Sequence, residues 1–168
     1  DGKAKTVREL LKGVKYSIDY YQREYKWHDK QIRELVDDLS GKFLEDYQPG
    51  HERSKVAEYP HYFLGSIIVS EKDNASFIVD GQQRLTSLTL LLILLRNLQK
   101  DHVKKVNVDE RIFSEKFDQK SFNIHVDERN PAMVDLYDGV PIDVTDRPES
   151  VQNLVQRYHD LEEAFPNE

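Results

Sequence analysis

The fold of this 168-residue chain turns on one stretch, Phe77-Ile78-Val79-Asp80-Gly81-Gln82-Gln83-Arg84-Leu85-Thr86. Its apolar, β-prone start predicts a strand that ends near Asp80. A leucine-rich helix is predicted from Arg84 to Leu98, and apolar residues occupy so many of its sides that we expect it in the middle of the core. Gly81, between the two elements, permits a tight turn or a close approach of the backbone to a ligand.

Periodicity predicts the elements before this stretch. Thr6 and Glu9 form a capping-box pattern, and Gly13 is a stop signal, so a short helix is expected over 6–13. A strand over 14–18 precedes a helix that begins near Asp29. A surface loop is expected over 45–60, and the β-rich runs 62–69 and 76–79 are expected to pair as a hairpin.

The C-terminal third predicts a strand over 121–126, a helix over 131–137 with Gly139 behind it, and a polar helix over 151–165. No repeat or change of composition sets a second domain apart. Residues 1–168 are therefore expected to form a single domain, with a core over 6–100 that carries the motifs and a C-terminal extension over 101–168. The chain does not begin with Met, and we expect it to be an excised piece of a longer protein.

Composition excludes several classes of protein. The chain is 38% hydrophobic and 33% charged, with a mean hydropathy of -0.72, as expected of a soluble globular domain. Its longest apolar run, Leu90 to Leu95, is far below the roughly 20 residues of a membrane span. With no cysteine, disulfides and thiolate chemistry are excluded, and a reducing, cytoplasmic location is expected.

Charge is distributed unevenly around a formal net value of -7. Residues 1–30 carry eight Lys/Arg against five acids, whereas residues 126–168 carry three against eleven. A globally basic surface for nucleic acid is absent, so contact with DNA is expected to be local or to involve a part of the protein outside this chain.

The predicted strand-to-helix junction favours an anion. Free backbone amides and the positive end of the helix dipole point to one place, and Arg84 adds a bidentate fork for phosphate. Gln82 and Gln83 can orient a ligand or a water. Asp80 would repel a bare anion, so it fits as a Mg²⁺ ligand beside phosphate or as a base for an attacking water. The alternative is that Asp80 only caps the helix, Gly81 only turns the chain and Arg84 is a surface cation.

Two other places carry weaker signals. In the stretch 21–27 the aromatic rings can stack on a base while Gln22 and Arg23 bond its edge or a phosphate, or Tyr21, Tyr25 and Trp27 simply pack over the core. Gly65 in a predicted strand marks a bulge or a place where a ligand comes close. Asp37 and Asp38 are expected to be exposed, and the histidines lack metal-ligand spacing.

Four strings occur in order along the chain: Tyr21-Gln22-Arg23 within 18–27, Leu35-Val36-Asp37-Asp38-Leu39, Tyr62-Phe63-Leu64-Gly65-Ser66-Ile67, and Asp80-Gly81-Gln82-Gln83-Arg84. Over about residues 6–100 this series resembles the N-terminal domain of GmrSD-type, modification-dependent restriction enzymes, a bacterial family of the ParB/sulfiredoxin-like superfamily. Asp19 departs from the family pattern, which has proline there.

The resemblance implies an α+β domain, a small mixed sheet packed with helices, that binds and hydrolyses nucleoside triphosphate with Mg²⁺. It assigns catalysis to Asp80, Gln82, Gln83 and Arg84, with Asp80 as the metal ligand. Nucleotide binding is assigned to Tyr21, Gln22, Arg23, Gly65, Gly81, Arg84 and Thr86. Hydrolysis would license DNA cleavage, as phage defence, by a C-terminal HNH-type nuclease domain that these 168 residues lack.

Two other functions compete with this hypothesis. One is a DNA-binding or nicking module that uses no nucleotide, for which DNA affinity would depend on salt and on Arg23 and Arg84. The other is an interaction scaffold without chemistry, in which neither Gln82 nor Gln83 contributes to ligand binding or activity.

Overall fold

A computed structural model describes residues 2–18, 24–116 and 119–165 of the chain. The helices in these ranges are α1 (Val7–Leu11), α2 (Asp29–Asp46), α3 (Arg53–Val56), α4 (Gln82–Leu98), α5 (Asp109–Ile112), α6 (Asn130–Asp138) and α7 (Glu149–Ala164). The strands are β1 (Tyr16–Ile18), β2 (Ile68–Lys72), β3 (Ala75–Asp80), β4 (Phe113–Lys116), β5 (Gln119–Phe122) and β6 (Ile124–His125).

The larger sheet is mixed, with strand order β2-β3-β1-β6. β2 runs antiparallel to β3, whereas β1 runs parallel to both β3 and β6. In this register Ile18 lies beside Ile78, and Ser17 lies beside His125. The carboxyl ends of β3, β1 and β6 therefore meet at one edge of the sheet, and helix α4 begins at that edge. The expected α+β class with a small mixed sheet is confirmed.

Helix α4 lies at the centre of the core, as its leucine pattern predicts. Leu85 and Leu88 pack with Ile78 against the sheet. One and two turns further on, Leu90, Ile93 and other apolar residues pack among α2, α6 and α7. Residues of α4 belong to both hydrophobic clusters, so the sheet and the other helices pack against the same central helix. Within the described ranges, no helix is both long and apolar enough to cross a membrane.

Several local predictions are confirmed. Thr6 and Glu9 cap α1 reciprocally, and α6 ends at Gly139, whose φ is +71°. Strands β2 and β3 form a hairpin with Asp73 and Asn74 at its tip, where φ is +52° and +59°. Positive φ at two successive residues is the geometry of a tight hairpin turn, and Asp and Asn tolerate it well.

Three boundaries differ from the sequence-based expectation. Residues 62–67 are not a strand, because Gly65 has a φ of +98° and the carbonyl of Ser66 binds a side chain instead of a neighbouring strand. The expected loop over 45–60 contains the end of α2 and all of α3. The expected strand over 121–126 is divided at Asn123, which is buried and donates from Nδ2 to the carbonyl of Leu11 at 2.8 Å.

Gly81→Ala is expected to lower the free energy of unfolding by about 2 kcal/mol or more, because φ at Gly81 is left-handed and the site is crowded. A Cβ there would lie 3.2 Å from the backbone oxygen of Ser66 and 3.3 Å from Cα of Ile67, at a φ of +89°. Chemical denaturation measures the loss. Gly41→Ala is the matched control: apart from its chain neighbours and the nearby backbone of α2, no described atom lies within 4 Å of its Cβ position, so about 0.5–1 kcal/mol should be gained. Equal effects of the two changes would contradict the packing described for Gly81.

Candidate functional site

The start of α4 is open on the side of Asp80. Gly81 occupies the N-cap position in a left-handed conformation, and among the described residues no side chain is seen to cap the first turn of the helix. The exposed Asp80 turns its Oδ1 to the N–H of Gly81 at 2.8 Å. Asp80 is therefore not the N-cap, and the idea that it only caps the helix is wrong. The helix start keeps backbone N–H groups and a partial positive charge beside a carboxylate.

Arg84 reaches back over Gly65. Its Nη1 donates to the carbonyl of Ser66 at 3.1 Å, and a Cβ added to Gly65 would lie only 2.8 Å from Cζ of the guanidinium. The group that comes close to Gly65 is thus an arginine of the same chain. Within the described ranges the other N–H groups of Arg84 have no partner, and no carboxylate forms an ion pair with it. Arg84 is held in place and still has donors for a ligand.

The side-chain amide of Gln83 forms hydrogen bonds to the backbone of a distant segment of the chain. Its Nε2 donates to the carbonyl of Glu24 at 2.7 Å, and its Oε1 accepts from the N–H of Lys26 at 2.8 Å and of Trp27 at 3.3 Å. These bonds use both ends of the amide. Gln83 therefore positions the segment 24–27 against the first turn of α4.

Other side chains secure the same segment. Tyr25 is 1% exposed, and its hydroxyl lies 2.6 Å from Oγ of Ser87, which itself donates to the carbonyl of Gln83. Burial raises the pKa of Tyr25, so its hydroxyl stays protonated. From α7, Asn153 donates to the carbonyl of Tyr25 at 3.3 Å, and Arg157 donates to that of Trp27 at 3.0 Å. Tyr25 and Trp27 pack into the core, as one of the two interpretations predicted.

Gln82 and Thr86 lie in different surroundings. The side chain of Gln82 is partly exposed and forms no hydrogen bond to any described residue. Thr86 is 5% exposed and borders a cavity of about 10 Å³, together with Arg129 and Asn130. Such a cavity holds one water at most. Of the two, Gln82 is placed to meet a ligand at the surface.

The predicted binding residues Tyr21, Gln22 and Arg23 lie outside the described residues. The chain on either side of them is placed at this site: Ile18 pairs with Ile78 in the sheet, and Gln83 binds the backbone of Glu24.

Sequence reasoning missed the partners that hold the site together. Asn153 and Arg157 lie more than 120 positions from the segment that they bind, and no local sequence pattern predicts such a contact. Asp38 is exposed, as expected, and it also accepts a hydrogen bond from the hydroxyl of Tyr62, which the sequence did not indicate. That bond raises the pKa of Tyr62, and the charge of Arg84 opposes the shift.

The described residues contain no group of three or more His, Cys, Asp or Glu side chains that could hold a metal. At the start of α4, Asp80 contributes a single carboxylate. A cation at this place would need further ligands from a bound molecule or from water.

Fold and site together define an α+β domain with an arginine fork, free amides and one carboxylate at the carboxyl edge of its parallel strands. The family model for the N-terminal domain of GmrSD restriction endonucleases matches residues 7–165, and this chain belongs to that family. The match extends well beyond the motifs, through α7. No curated protein matches the chain.

Gln83→Ala is expected to lower the free energy of unfolding by about 1–3 kcal/mol, because it removes three hydrogen bonds and leaves backbone groups of residues 24–27 without partners. Gln82→Ala is the matched control, one position away on the same helix, and should change stability by less than about 0.5 kcal/mol. Urea denaturation of both variants makes the comparison. If Gln82→Ala costs as much as Gln83→Ala, the assignment of Gln83 as the structural amide is wrong.

Proposed function

We propose that this domain binds and hydrolyses a nucleoside triphosphate with Mg²⁺, and that it thereby regulates DNA cleavage by a nuclease domain of HNH type outside this chain. The observation that carries the proposal is the state of Arg84: one N–H is fixed on Ser66, and the remaining donors face no described acceptor. Membership of a restriction endonuclease family supports the link to DNA cleavage and phage defence.

In this proposal, Arg84 and the backbone N–H groups of the first turn of α4 bind the phosphates. A guanidinium matches two phosphate oxygens at once, and its orientation is already set by the bond to Ser66. Gly81 has no side chain to cap the helix, and among the described residues no other side chain takes its place, so the first backbone N–H groups can donate to the same anion. Preorganised donors of this kind stabilise the charge that develops on phosphoryl oxygens during transfer.

The residues present could hold Mg²⁺ only if phosphate oxygens of the nucleotide and waters supplied the other ligands. A lone carboxylate suits this cation, which usually takes one or two carboxylates and completes its octahedron with phosphate oxygens and waters. Asp80 would hold it, and the bound ion would neutralise phosphate charge. Alternatively, Asp80 accepts the proton of the attacking water. Its exposure at the end of β3 leaves Oδ2 accessible for either role.

Gln82 has the freedom to orient that water or a phosphate oxygen, since its amide is uncommitted among the described residues. Gln83 contributes indirectly, by holding the segment that follows Tyr21, Gln22 and Arg23, for which nucleotide binding stays a prediction from the sequence. Gly65 contributes by admitting the Arg84 guanidinium. Thr86, being buried, is expected to support the helix turn beneath the site.

Arg84→Ala is expected to weaken binding of a Mg²⁺-nucleoside triphosphate about tenfold or more, because a charge-assisted hydrogen bond contributes roughly 1.5–3 kcal/mol. Isothermal titration calorimetry with ATP, GTP and CTP measures the change. Arg53→Ala, at an exposed arginine of α3, is the control and should bind as the unaltered chain does. Native affinity in Arg84→Ala would overturn the assignment of the phosphate fork.

Asp80→Asn is expected to reduce NTP hydrolysis at least about 100-fold, the lower range of general-base contributions, while binding is largely retained. The substitution keeps the size and the acceptor oxygen for the Gly81 N–H but removes the negative charge. Phosphate release under single-turnover conditions measures it. Hydrolysis at the native rate in this variant would exclude Asp80 from the chemistry.

DNA affinity that falls with salt and with Arg84→Ala, and is indifferent to added nucleotide, would favour a DNA-binding module instead.

A further inference from the structure

We propose that Phe63 is the platform on which the base of the bound nucleotide stacks. The inference rests on the proposed function and adds the part of the ligand that Arg84 and Asp80 do not contact. It gives the site a second recognition element, an apolar ring, next to its phosphate-binding donors.

Exposure sets Phe63 apart from the other exposed aromatic residues in the described ranges. Phe63 is 80% exposed, against 38% for Tyr62, 40% for Phe43 and 41% for Tyr47. Phe43 and Tyr47 stack on each other at 5.1 Å between ring centroids, and Tyr62 is bonded to Asp38. In the described part of the chain, the ring of Phe63 has no aromatic or cationic partner. A phenyl ring left this open has apolar area that a ligand can cover.

Position links this ring to the phosphate fork. Phe63 lies two residues before Gly65, and two residues span at most about 7 Å of chain. The guanidinium of Arg84 lies directly on Gly65, with Cζ 2.8 Å from the position of an added Cβ. A nucleotide whose phosphates lie on Arg84 therefore has the ring of Phe63 within the reach of its base.

The backbone that carries Phe63 is anchored on both sides. Before it, the hydroxyl of Tyr62 donates to Asp38 on α2. After it, the carbonyl of Ser66 accepts from Arg84 on α4. Anchoring of this kind lowers the ordering cost of binding, because the platform does not have to be assembled around the ligand. Stacking on a phenyl ring does not read the base edges, so any of the common bases is accommodated.

The experiment compares a nucleotide with a triphosphate that lacks the nucleoside, that is, both the base and the ribose. Calorimetry with Mg²⁺ measures binding of ATP and of inorganic tripolyphosphate to the unaltered chain, Phe63→Ala and Phe63→Trp. We expect Phe63→Ala to weaken ATP about tenfold to a hundredfold, the range for loss of one base–aromatic stack, and to leave tripolyphosphate unchanged. Phe63→Trp should retain ATP affinity. Leu44→Ala, at an exposed apolar residue of α2, is the matched control and should bind both ligands normally.

The results separate this inference from the proposed function. If the unaltered chain binds ATP and Phe63→Ala binds it equally well, the platform is refuted and the phosphate site stands. If Phe63→Ala weakens tripolyphosphate as much as ATP, the ring acts on the fold of the site and the inference fails. If Phe63→Ala loses only single-stranded oligonucleotide binding, the ring serves DNA and the inference is wrong. If the unaltered chain binds neither ligand, the proposed function fails with it.

Discussion

The side-chain amide of Gln83 joins the first turn of α4 to the backbone of residues 24–27, and much of the domain is arranged around that contact. The segment has no helix or strand of its own, so its backbone groups need other partners. Gln83 supplies three bonds, and Asn153 and Arg157 supply two more from α7. A short irregular segment thus links the central helix to the last one, and the helix start cannot shift without disturbing both.

The residues of the motif Asp80-Gly81-Gln82-Gln83-Arg84 divide into those that bind distant segments of the chain and those left at the surface. Gln83 binds one distant segment of the chain at Glu24, and Arg84 binds another at Ser66. Gly81 admits the backbone of residues 66 and 67 beside the helix start. Asp80 and Gln82 are left facing outward. Side chains that are bonded to distant backbone groups keep their orientation, so donors held in this way need no ordering when a ligand binds.

Elements with strong periodicity could be predicted from the sequence, and so could the position of Asp80 and Arg84 on either side of the helix start, because only three residues separate them. The leucine pattern of α4 and the cap of α1 are local signals. The irregular path of residues 62–67 could not be predicted, since their β-rich composition is overridden by the long-range bond from Arg84 to Ser66. The role of Gln83 was equally hidden, because its partners lie 56–59 positions earlier in the chain. A hydrogen bond between a side chain and a distant backbone group produces no periodic pattern of residues, so periodicity does not predict it.

The charges at the start of α4 bear on the choice between the proposed nucleotide and duplex DNA. Binding along duplex DNA neutralises several phosphates and needs several Lys or Arg side chains on one surface. Here the chain carries a net charge of -7, and among the described residues the positive potential at the start of α4 comes from Arg84 and from neutral amides. Backbone N–H groups and a single guanidinium attract an anion over a few ångströms, which is the size of a di- or triphosphate. Beyond about 10 Å, salt screens their electrostatic field. This arrangement supports the proposed nucleotide over a duplex as the ligand, because the described residues at the start of α4 supply one cationic side chain and not a row of them.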